Sequence, residues 1–210
     1  MTIGNVISMA KGGELKSVAI QYNSNYIVEF INLAMIELYK RFPLKTSEWL
    51  IELQDDIIEY KIPDDKNFMY ISSAYQELSQ DDDVTDNRLG INDEDDPLSI
   101  NMVSWNVVQI PVSVTGAYIS IIYVEAPSII EWDEAGTYLD KTIDLPPQLI
   151  EALLHYIGYR AHGSITANIK TESNTYYQRF EASCNRARQL GLVTRESLKS
   201  HHKFHDRGFA

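Results

Sequence analysis

Apolar residues recur at helical spacing near the start of the chain, from residue 25 to residue 41. The pattern predicts an amphipathic helix that follows an N-cap at Asn23 or Ser24 and ends before Pro43. The apolar stripe of this helix consists of Ile27, Phe30, Ile31, Ala34, Leu38 and Tyr39. We expect the stripe to be buried against other helices.

Two more helices are predicted near the C-terminal end. The first covers residues 147–167, has proline in its first turn, and would bury Ile150, Leu153, Leu154, Ile157 and Ala161. The second covers residues 171–190 and is followed by Gly191, which suits the C′ position. Its apolar stripe consists of Tyr176, Tyr177, Phe180, Cys184, Ala187 and Leu190.

Alternating apolar and polar residues predict strands between the first helix and the last two. Residues 49–62 predict a β-hairpin that turns at Asp55 and Asp56. Three further strands are predicted over residues 68–78, 101–110 and 114–125, the last two joined near Pro111. Residues 127–145 have little regular pattern, and we expect a long ordered connection packed by its aromatic side chains.

These elements predict an α+β fold. We expect residues 1–44 and 146–191 to form a small helical core, residues 45–145 an inserted antiparallel β lobe, and residues 192–210 an extended basic tail. The β lobe includes an acidic loop at residues 80–97 that is rich in Asp, Asn and Gly. Because the loop lacks periodicity and repels itself, we expect it to be mobile or ordered only by a partner.

The chain is acidic overall, and its charge is unevenly distributed. Its 210 residues include 30 Asp and Glu against 18 Lys and Arg, a formal charge of −12 that excludes a basic protein wrapping nucleic acid. Residues 52–96 hold 15 acidic and three basic side chains, whereas residues 151–210 hold nine basic and five acidic ones. This polarity predicts two surfaces that meet different partners.

Cysteine content and hydropathy restrict the setting in which the protein works. Cys184 is the only cysteine, so no disulfide can form within the chain. No apolar run approaches the roughly 20 residues that a membrane-spanning helix needs. The first 16 residues lack the apolar core of a secretory signal. We therefore expect a soluble protein that is assembled inside a cell.

The acidic and histidine-rich segments are weak candidates for metal sites. The acidic loop fails the EF-hand pattern, because a loop that starts at Asp81 has Asp86 where the turn needs glycine. Clustered carboxylates at residues 93–96 leave a weak calcium or magnesium site open, but a solvated or partner-facing loop is the simpler expectation. His201 and His205 are spaced like metal ligands but lack a third ligand at a recognisable spacing.

The remaining reactive side chains are expected in packing. His155 and His162 lie seven residues apart on one face of the same predicted helix, as helix-packing or subunit contacts do. Cys184 lies in an apolar stripe and has no histidine near it in sequence, which indicates a buried thiol. No nucleophile, phosphate-binding or zinc-protease motif is present. The sequence therefore predicts no catalytic residue, no metal site and no cofactor.

Four stretches of the sequence, taken in order, share the pattern of one family. They are the helix at residues 27–42 with Glu37-Leu38-Tyr39, the strand end Tyr60-Lys61-Ile62-Pro63, residues 91–100 with the later Tyr123-Val124-Glu125-Ala126-Pro127, and residues 145–162 with Asn174, Tyr177, Phe180 and Leu190-Gly191. Together they cover most of residues 20–192. In this order they resemble the head-to-tail adaptor (connector) proteins of short-tailed double-stranded-DNA phages.

The resemblance implies a non-enzymatic structural protein of the virion. Such a protein assembles as a ring, twelvefold to match a portal, lies below the portal at the head-tail junction, and extends the DNA channel towards the tail nozzle. The implied partners are further copies of the chain, the portal protein, and tail nozzle or tail-fibre proteins. Genomic double-stranded DNA would pass through the channel without specific binding, no membrane is involved, and assembly would take place in the host cytoplasm.

Three sets of residues are expected to make these contacts. The portal-binding set lies in the tail and consists of Arg195, Lys199, His201, His202, Lys203, Phe204, Arg207 and Phe209. The set expected in subunit contacts or in the helical core consists of Phe30, Ile31, Tyr39, Tyr156, Arg160, His162, Tyr177 and Phe180. The set expected to face the tail or the channel consists of Asp81, Asp82, Asp83, Asp93, Glu94, Asp95 and Asp96.

Two other functions stay open from the residues alone. One is a metal-dependent enzyme that uses the carboxylate cluster at residues 93–96. The other is an acidic binding module that mimics nucleic acid and binds a basic protein.

Overall fold

The computed structural model describes residues 1–18, 24–77, 88–114, 117–163 and 170–191. These residues contain α-helices and two antiparallel β-sheets, which confirms the predicted α+β class. By their contacts they form two compact units. We call Met1–Phe42 with residues 127–191 the helical unit, and Pro43–Ala126 the β unit.

The helical unit contains four α-helices among its described residues. They are α1 (Ile3–Gly12), α2 (Ser24–Arg41), α3 (Ile150–Gly163) and α4 (Lys170–Gln189), with short 3₁₀ turns at Thr137–Asp140 and Pro147–Leu149. α3 packs most extensively on α4 and also contacts α1 and α2. The predicted apolar stripes lie in this interior, where Ile27, Leu38, Leu153, Ile157 and Phe180 are fully buried.

The three predicted helices are confirmed, with small differences at their ends. α2 begins at Ser24, so Ser24 is the first helical residue rather than the N-cap, and the other predicted N-cap, Asn23, lies outside the described residues. Residues 164–167 of the second predicted helix lie outside them as well. The 3₁₀ turn at Pro147–Leu149 precedes α3. Gly191 has a φ of 66°, and its N–H donates to the Arg188 carbonyl at 2.9 Å, as expected at the C′ position.

Helix α1 was not predicted from the sequence. Thr2 caps its N-terminus by accepting a 3.3 Å hydrogen bond from the Asn5 N–H, and the helix buries Ile3, Val6, Ile7 and Ala10. The stripe is only two turns long and is bordered by Gly4 and Gly12. Few helix formers flank it, so its periodicity was weak in the sequence.

Residues 127–145, which the sequence pattern groups with the strands, bond to helices of the helical unit. The Asn32 side chain exchanges two 2.9 Å hydrogen bonds with the backbone of Ile130, and the Tyr39 hydroxyl donates to the Asp144 carbonyl at 3.0 Å. Tyr138 is buried, whereas Trp132 is only partly buried. The connection is therefore held by these hydrogen bonds and by one of its two aromatic residues.

The β unit contains two antiparallel sheets among its described residues. The larger sheet has the order β1-β7-β3-β4, with β1 (Thr46–Glu52), β7 (Tyr118–Glu125), β3 (Phe68–Glu77) and β4 (Arg88–Leu89). The smaller has the order β2-β6-β5, with β2 (Glu59–Lys61), β6 (Val107–Gln109) and β5 (Asn101–Ser104). The interior between them includes Ile51, Ile62, Ile100, Val108, Ile119 and Ile121.

The hairpin predicted over residues 49–62 is wrong. β1 pairs with β7 from Thr46↔Val124 to Glu52↔Tyr118, and β2 pairs with β6, so the two strands belong to different sheets. Asp56 has a left-handed φ of 66°, and this turn carries the chain from one sheet to the other. Alternation predicted the strands correctly but carries no information on their partners.

The single strand predicted over residues 101–110 is also wrong. It is a hairpin in which β5 turns at Trp105 and Asn106 into β6, with a bulge between Met102 and Ser104. Ser104 donates its hydroxyl to the Asn106 side chain at 3.1 Å, which stabilises the turn. The strands predicted over residues 68–78 and 114–125 are confirmed as β3 and β7, although residues 78, 115 and 116 lie outside the described residues.

None of the helices in the described residues combines the length and the apolar character that crossing a bilayer requires.

Candidate interaction surfaces

The predicted helical-core residues divide into a buried group and an accessible group. Ile31, Tyr39, His162 and Phe180 are fully buried by their own chain, and Phe30 nearly so. Tyr156 is half-buried, whereas Arg160 and Tyr177 are exposed. Only Tyr156, Arg160 and Tyr177 of this set are therefore available to a neighbouring molecule.

Arg41, at the end of α2, holds α2 to α4. Its Nε lies 2.8 Å from Glu37 Oε1, and its Nη1 lies 2.8 Å from Glu181 Oε1 on α4. The guanidinium group also lies 4.5 Å from the centre of the Phe180 ring, a cation-π distance. Together these contacts join two helices that are far apart in sequence.

The charges in this cluster shift the pKa values of its members. Burial alone would lower the pKa of Arg41, but its hydrogen bonds to Glu37 and Glu181 outweigh burial and raise the pKa above its ordinary value. Burial alone would raise the pKa of Glu181, but the bonds from Arg41 and Tyr177 outweigh it, so the pKa of Glu181 is lowered. Both groups are therefore charged at neutral pH.

An aromatic cluster continues from this ion pair along α3 and α4. Tyr156 and Phe180 meet edge to face at 5.0 Å, and Tyr159 lies 5.1 Å from Tyr177. Burial, followed by the charge of Glu37, raises the pKa of Tyr156. The rings pack on one another by their apolar faces, and the Tyr177 hydroxyl also accepts a hydrogen bond from Arg41 at 3.4 Å.

The two helix histidines contact neighbouring elements, as the sequence indicated. His162 stacks on Tyr176 at 4.8 Å, and its Nε2 lies 2.9 Å from the Glu14 carbonyl oxygen. His155 Nδ1 lies 3.2 Å from the Ser183 hydroxyl on α4. Both roles are structural and within the chain.

Cys184 is a buried packing residue. Its side chain is fully buried, and burial raises the pKa of its thiol to about 11. The thiol is therefore protonated at neutral pH and is a poor nucleophile.

The second half of the acidic loop is ordered, which corrects the expectation that a partner must order it. Asp93 Oδ1 accepts a hydrogen bond from the Asp95 N–H at 3.1 Å, and Asp96 Oδ1 accepts one from the Leu98 N–H at 2.9 Å. Gly90 lies close beside them: a Cβ there would lie 2.5 Å from Asp96 Oδ2, so the Asp96 carboxylate would have to shift. These acidic side chains stabilise local turns, which composition alone did not reveal.

The acidic turn does not gather its carboxylates around one point. Among the described residues no group of three His, Cys, Asp or Glu side chains is placed to hold a metal ion. Asp81, Asp82 and Asp83 lie outside the described residues, so the structure places only Asp93, Glu94, Asp95 and Asp96 of the set expected to face the tail or channel.

The portal-binding residues predicted in the tail lie outside the described residues as well. These residues are Arg195, Lys199, His201, His202, Lys203, Phe204, Arg207 and Phe209. Their predicted role stays a prediction.

A site that sequence reasoning missed lies at the turn between β5 and β6. Trp105 is 82% exposed there, beside the half-exposed Val103. The only sequence feature that indicates a turn here is the tripeptide Ser104-Trp105-Asn106, in which polar turn residues flank a tryptophan. The prediction of one continuous strand over residues 101–110 left no place for this turn.

Folded in this way, the chain is a structural protein of the phage adaptor class, with helical and β units that are separately packed. It belongs to the SU10 adaptor protein family, whose model matches residues 13–199. The match begins just after α1 and spans α2, α3 and α4 together with the whole β unit. It confirms the resemblance to phage head-to-tail adaptors. No curated protein matches the chain.

Proposed function

We propose that the protein forms a ring, twelvefold like a portal, that lies below the portal and connects it to the tail nozzle. The observation that carries this proposal is the family match over residues 13–199, which includes the β unit and all of the described helical unit except residues 1–12. A phage adaptor role follows from the family itself. The ring, its symmetry and its specific contacts are the proposed part.

The two units differ in charge as an adaptor between unlike partners requires. The β unit holds 17 acidic and four basic residues, a net charge of −13, so the remainder of the chain carries +1. The whole acidic excess therefore lies in the β unit. We propose that the helical unit forms the ring and that the β unit faces the tail.

The basic tail is the proposed portal-binding segment. Residues 192–210 hold four Lys or Arg, three His and two Phe. Such a segment can bind a partner through charge-assisted hydrogen bonds and anchor itself with its aromatic rings. In the virion the protein would contact DNA without binding it specifically, because acidic residues repel phosphates and offer few of the cationic contacts that dominate DNA affinity.

The assembly is tested by measuring mass. The full-length protein is mixed with the purified portal of the same phage, and native mass spectrometry is expected to show twelve copies per portal ring. A strict monomer that ignores the portal at high concentration would refute the proposal.

The role of the tail is tested by truncation after Leu192. The truncated chain is expected to keep its circular dichroism spectrum and to bind the portal more weakly than the full chain. Unchanged portal binding would show that other residues make the contact.

The DNA prediction is tested by a gel-shift assay. The full-length protein at 150 mM salt is expected to leave a 100-base-pair duplex unshifted at micromolar concentration. Retention of the duplex by the protein would contradict a channel without specific DNA binding.

The acidic cluster at residues 93–96 gives the metal-enzyme alternative no support, because Asp93 and Asp96 each bond a backbone N–H in their own turn. The substitutions Asp93→Asn and Asp95→Asn test that alternative. Variants that still join heads to tails would exclude a catalytic role for the cluster.

A further inference from the structure

The hairpin tip of the small sheet, formed by Val103, Ser104, Trp105 and Asn106, presents the most exposed aromatic side chain of the described residues. Trp105 is 82% exposed, whereas Trp49 packs against the β-unit core and Trp132 is 45% exposed. Tryptophan is the residue type most enriched at protein binding hot spots. An aromatic ring of this size that its own chain leaves in water is available as an anchor for a partner.

The hairpin tip is held rigidly. The Asn106 carbonyl accepts a 2.9 Å hydrogen bond from the Ile62 N–H, and the Ser104 hydroxyl donates to the Asn106 side chain at 3.1 Å. Directly behind the turn, Met102 pairs with Val108, which is fully buried in the core of the β unit. Because these bonds fix the backbone of the turn, the turn itself needs little ordering on binding, which lowers the entropic cost of a contact there.

Acidic residues border the hairpin tip. The Ile62 bond to Asn106 brings the turn at residues 63–66 alongside it, and that turn contains Asp64 and Asp65. Asp64 is strongly exposed, and its only charged partner among the described residues is Lys61 at 3.1 Å. Together with the net charge of −13 of the β unit, these carboxylates make a positively charged partner the complementary one.

We propose that Trp105 inserts into an apolar pocket bordered by Lys or Arg on a tail protein of the virion. This inference rests on the proposed function, since it names the contact by which the β unit binds the tail. Charge complementarity favours a positively charged partner for the hairpin tip. The β unit of a neighbouring copy carries the same net charge of −13 and is repelled.

The test uses full-length protein and the tail nozzle protein of the same phage, immobilised on a biosensor. Trp105→Ala is expected to raise the dissociation constant about 30-fold or more, as for a hot-spot residue. Val112→Ala is the matched control, because Val112 is also 82% exposed but lies beyond the opposite end of β6. Its dissociation constant is expected to stay within about twofold of wild type, the range of a residue outside the hot spot.

The charge argument has its own test. Asp64→Asn with Asp65→Asn is expected to weaken nozzle binding at 50 mM salt and to change it little at 500 mM salt, where the charges are screened. The emission of Trp105, isolated by replacing Trp49 and Trp132 with phenylalanine, is expected to shift to the blue on binding as the ring leaves water.

Failure of the inference and failure of the proposed function give different results. If wild type and Trp105→Ala bind the nozzle equally, the inference is overturned while the adaptor role stands. If Trp105→Ala instead loses ring formation or portal binding, the hairpin tip is a subunit or portal contact and the inference is again overturned. If wild type binds neither portal nor nozzle, both are wrong.

Discussion

Gly158 on α3 offers a test in which local helix propensity and tertiary packing predict opposite signs. Replacing a helical glycine by alanine ordinarily stabilises a helix by about 1 kcal/mol. Here a Cβ would lie 2.8, 3.0 and 3.1 Å from three carbons of the Tyr176 ring on α4, so the ring or the helix would have to shift. Gly158 therefore permits the close packing of α3 on α4.

The Tyr176 ring cannot move aside without loss. Its hydroxyl donates to the Glu14 carbonyl at 3.2 Å, and its ring stacks on His162 at 4.8 Å. Overpacking costs about 1–3 kcal/mol and a lost hydrogen bond about 1 kcal/mol more. After the gain in propensity is subtracted, Gly158→Ala is expected to lower the free energy of unfolding by about 1–3 kcal/mol.

The assay is urea unfolding followed by circular dichroism at fixed protein concentration, with Gly12→Ala as the control. No atom lies within 4 Å of a Cβ at Gly12, so that variant is expected to be as stable as wild type or slightly more stable. In a Tyr176→Ala background, where the ring is absent, Gly158→Ala is expected to become stabilising. A stabilising effect of Gly158→Ala in the wild-type background would refute the packing argument.

Three further predictions concern charged and reactive side chains of the helical unit. Arg41→Ala is expected to lower the free energy of unfolding in urea by about 2–4 kcal/mol, because it leaves a partly buried Glu181 without its cation. Arg186→Ala is expected to lower it by under about 0.5 kcal/mol, because the pair of Arg186 with Glu151 is exposed and spans 3.7 Å. Equal losses in the two variants would contradict this distinction. The pKa of Glu181 is lower in the folded state, so its contribution to stability is complete above the unfolded pKa and is lost as the pH falls through the folded pKa. In urea unfolding at a series of decreasing pH values, the stability advantage of wild type over Glu181→Gln is therefore expected to disappear. A difference that stays constant with pH would contradict this. Burial raises the pKa of the Cys184 thiol to about 11. At pH 8 the thiol is therefore expected to react with a disulfide reagent about 100-fold more slowly in native than in urea-unfolded protein. Equal rates would show that the thiol is accessible in the native protein.

Sequence patterns predicted the helices better than the strands for a physical reason. The stripes of α2, α3 and α4 are local, so spacing within one segment reveals both the element and its buried face. Residues 49–62 were predicted wrongly because the partners of a strand are set by long-range pairing. β1 pairs with β7, and the chain between β1 and β2 bends at Asp56 instead of forming a hairpin.

The candidate surfaces were predicted unevenly as well. Buried Tyr39 and Phe180 followed from the apolar stripes, but Arg41, which joins α2 to α4, did not, because its partner Glu181 lies far along the chain. Trp105 was missed because residues 101–110 were predicted as one strand, whereas the turn at Trp105 and Asn106 places the side chain in solvent. Exposure of a large apolar side chain is a property of the folded chain, not of its sequence neighbours.

The interruption of the helical unit by the β unit has a consequence for the order of folding. The Glu14 carbonyl contacts His162, 148 residues later, and the Ser47 hydroxyl donates to Glu125, 78 residues away. During synthesis α1 and α2 leave the ribosome long before α3 and α4 exist, whereas the β unit is complete once β7 has emerged. Such high contact order slows folding, because long loops must close before their contacts are gained. We therefore expect the β unit to fold first, while the apolar stripe of α2 stays exposed to solvent. Chains whose synthesis stops after β7 are expected to be the most prone to aggregate.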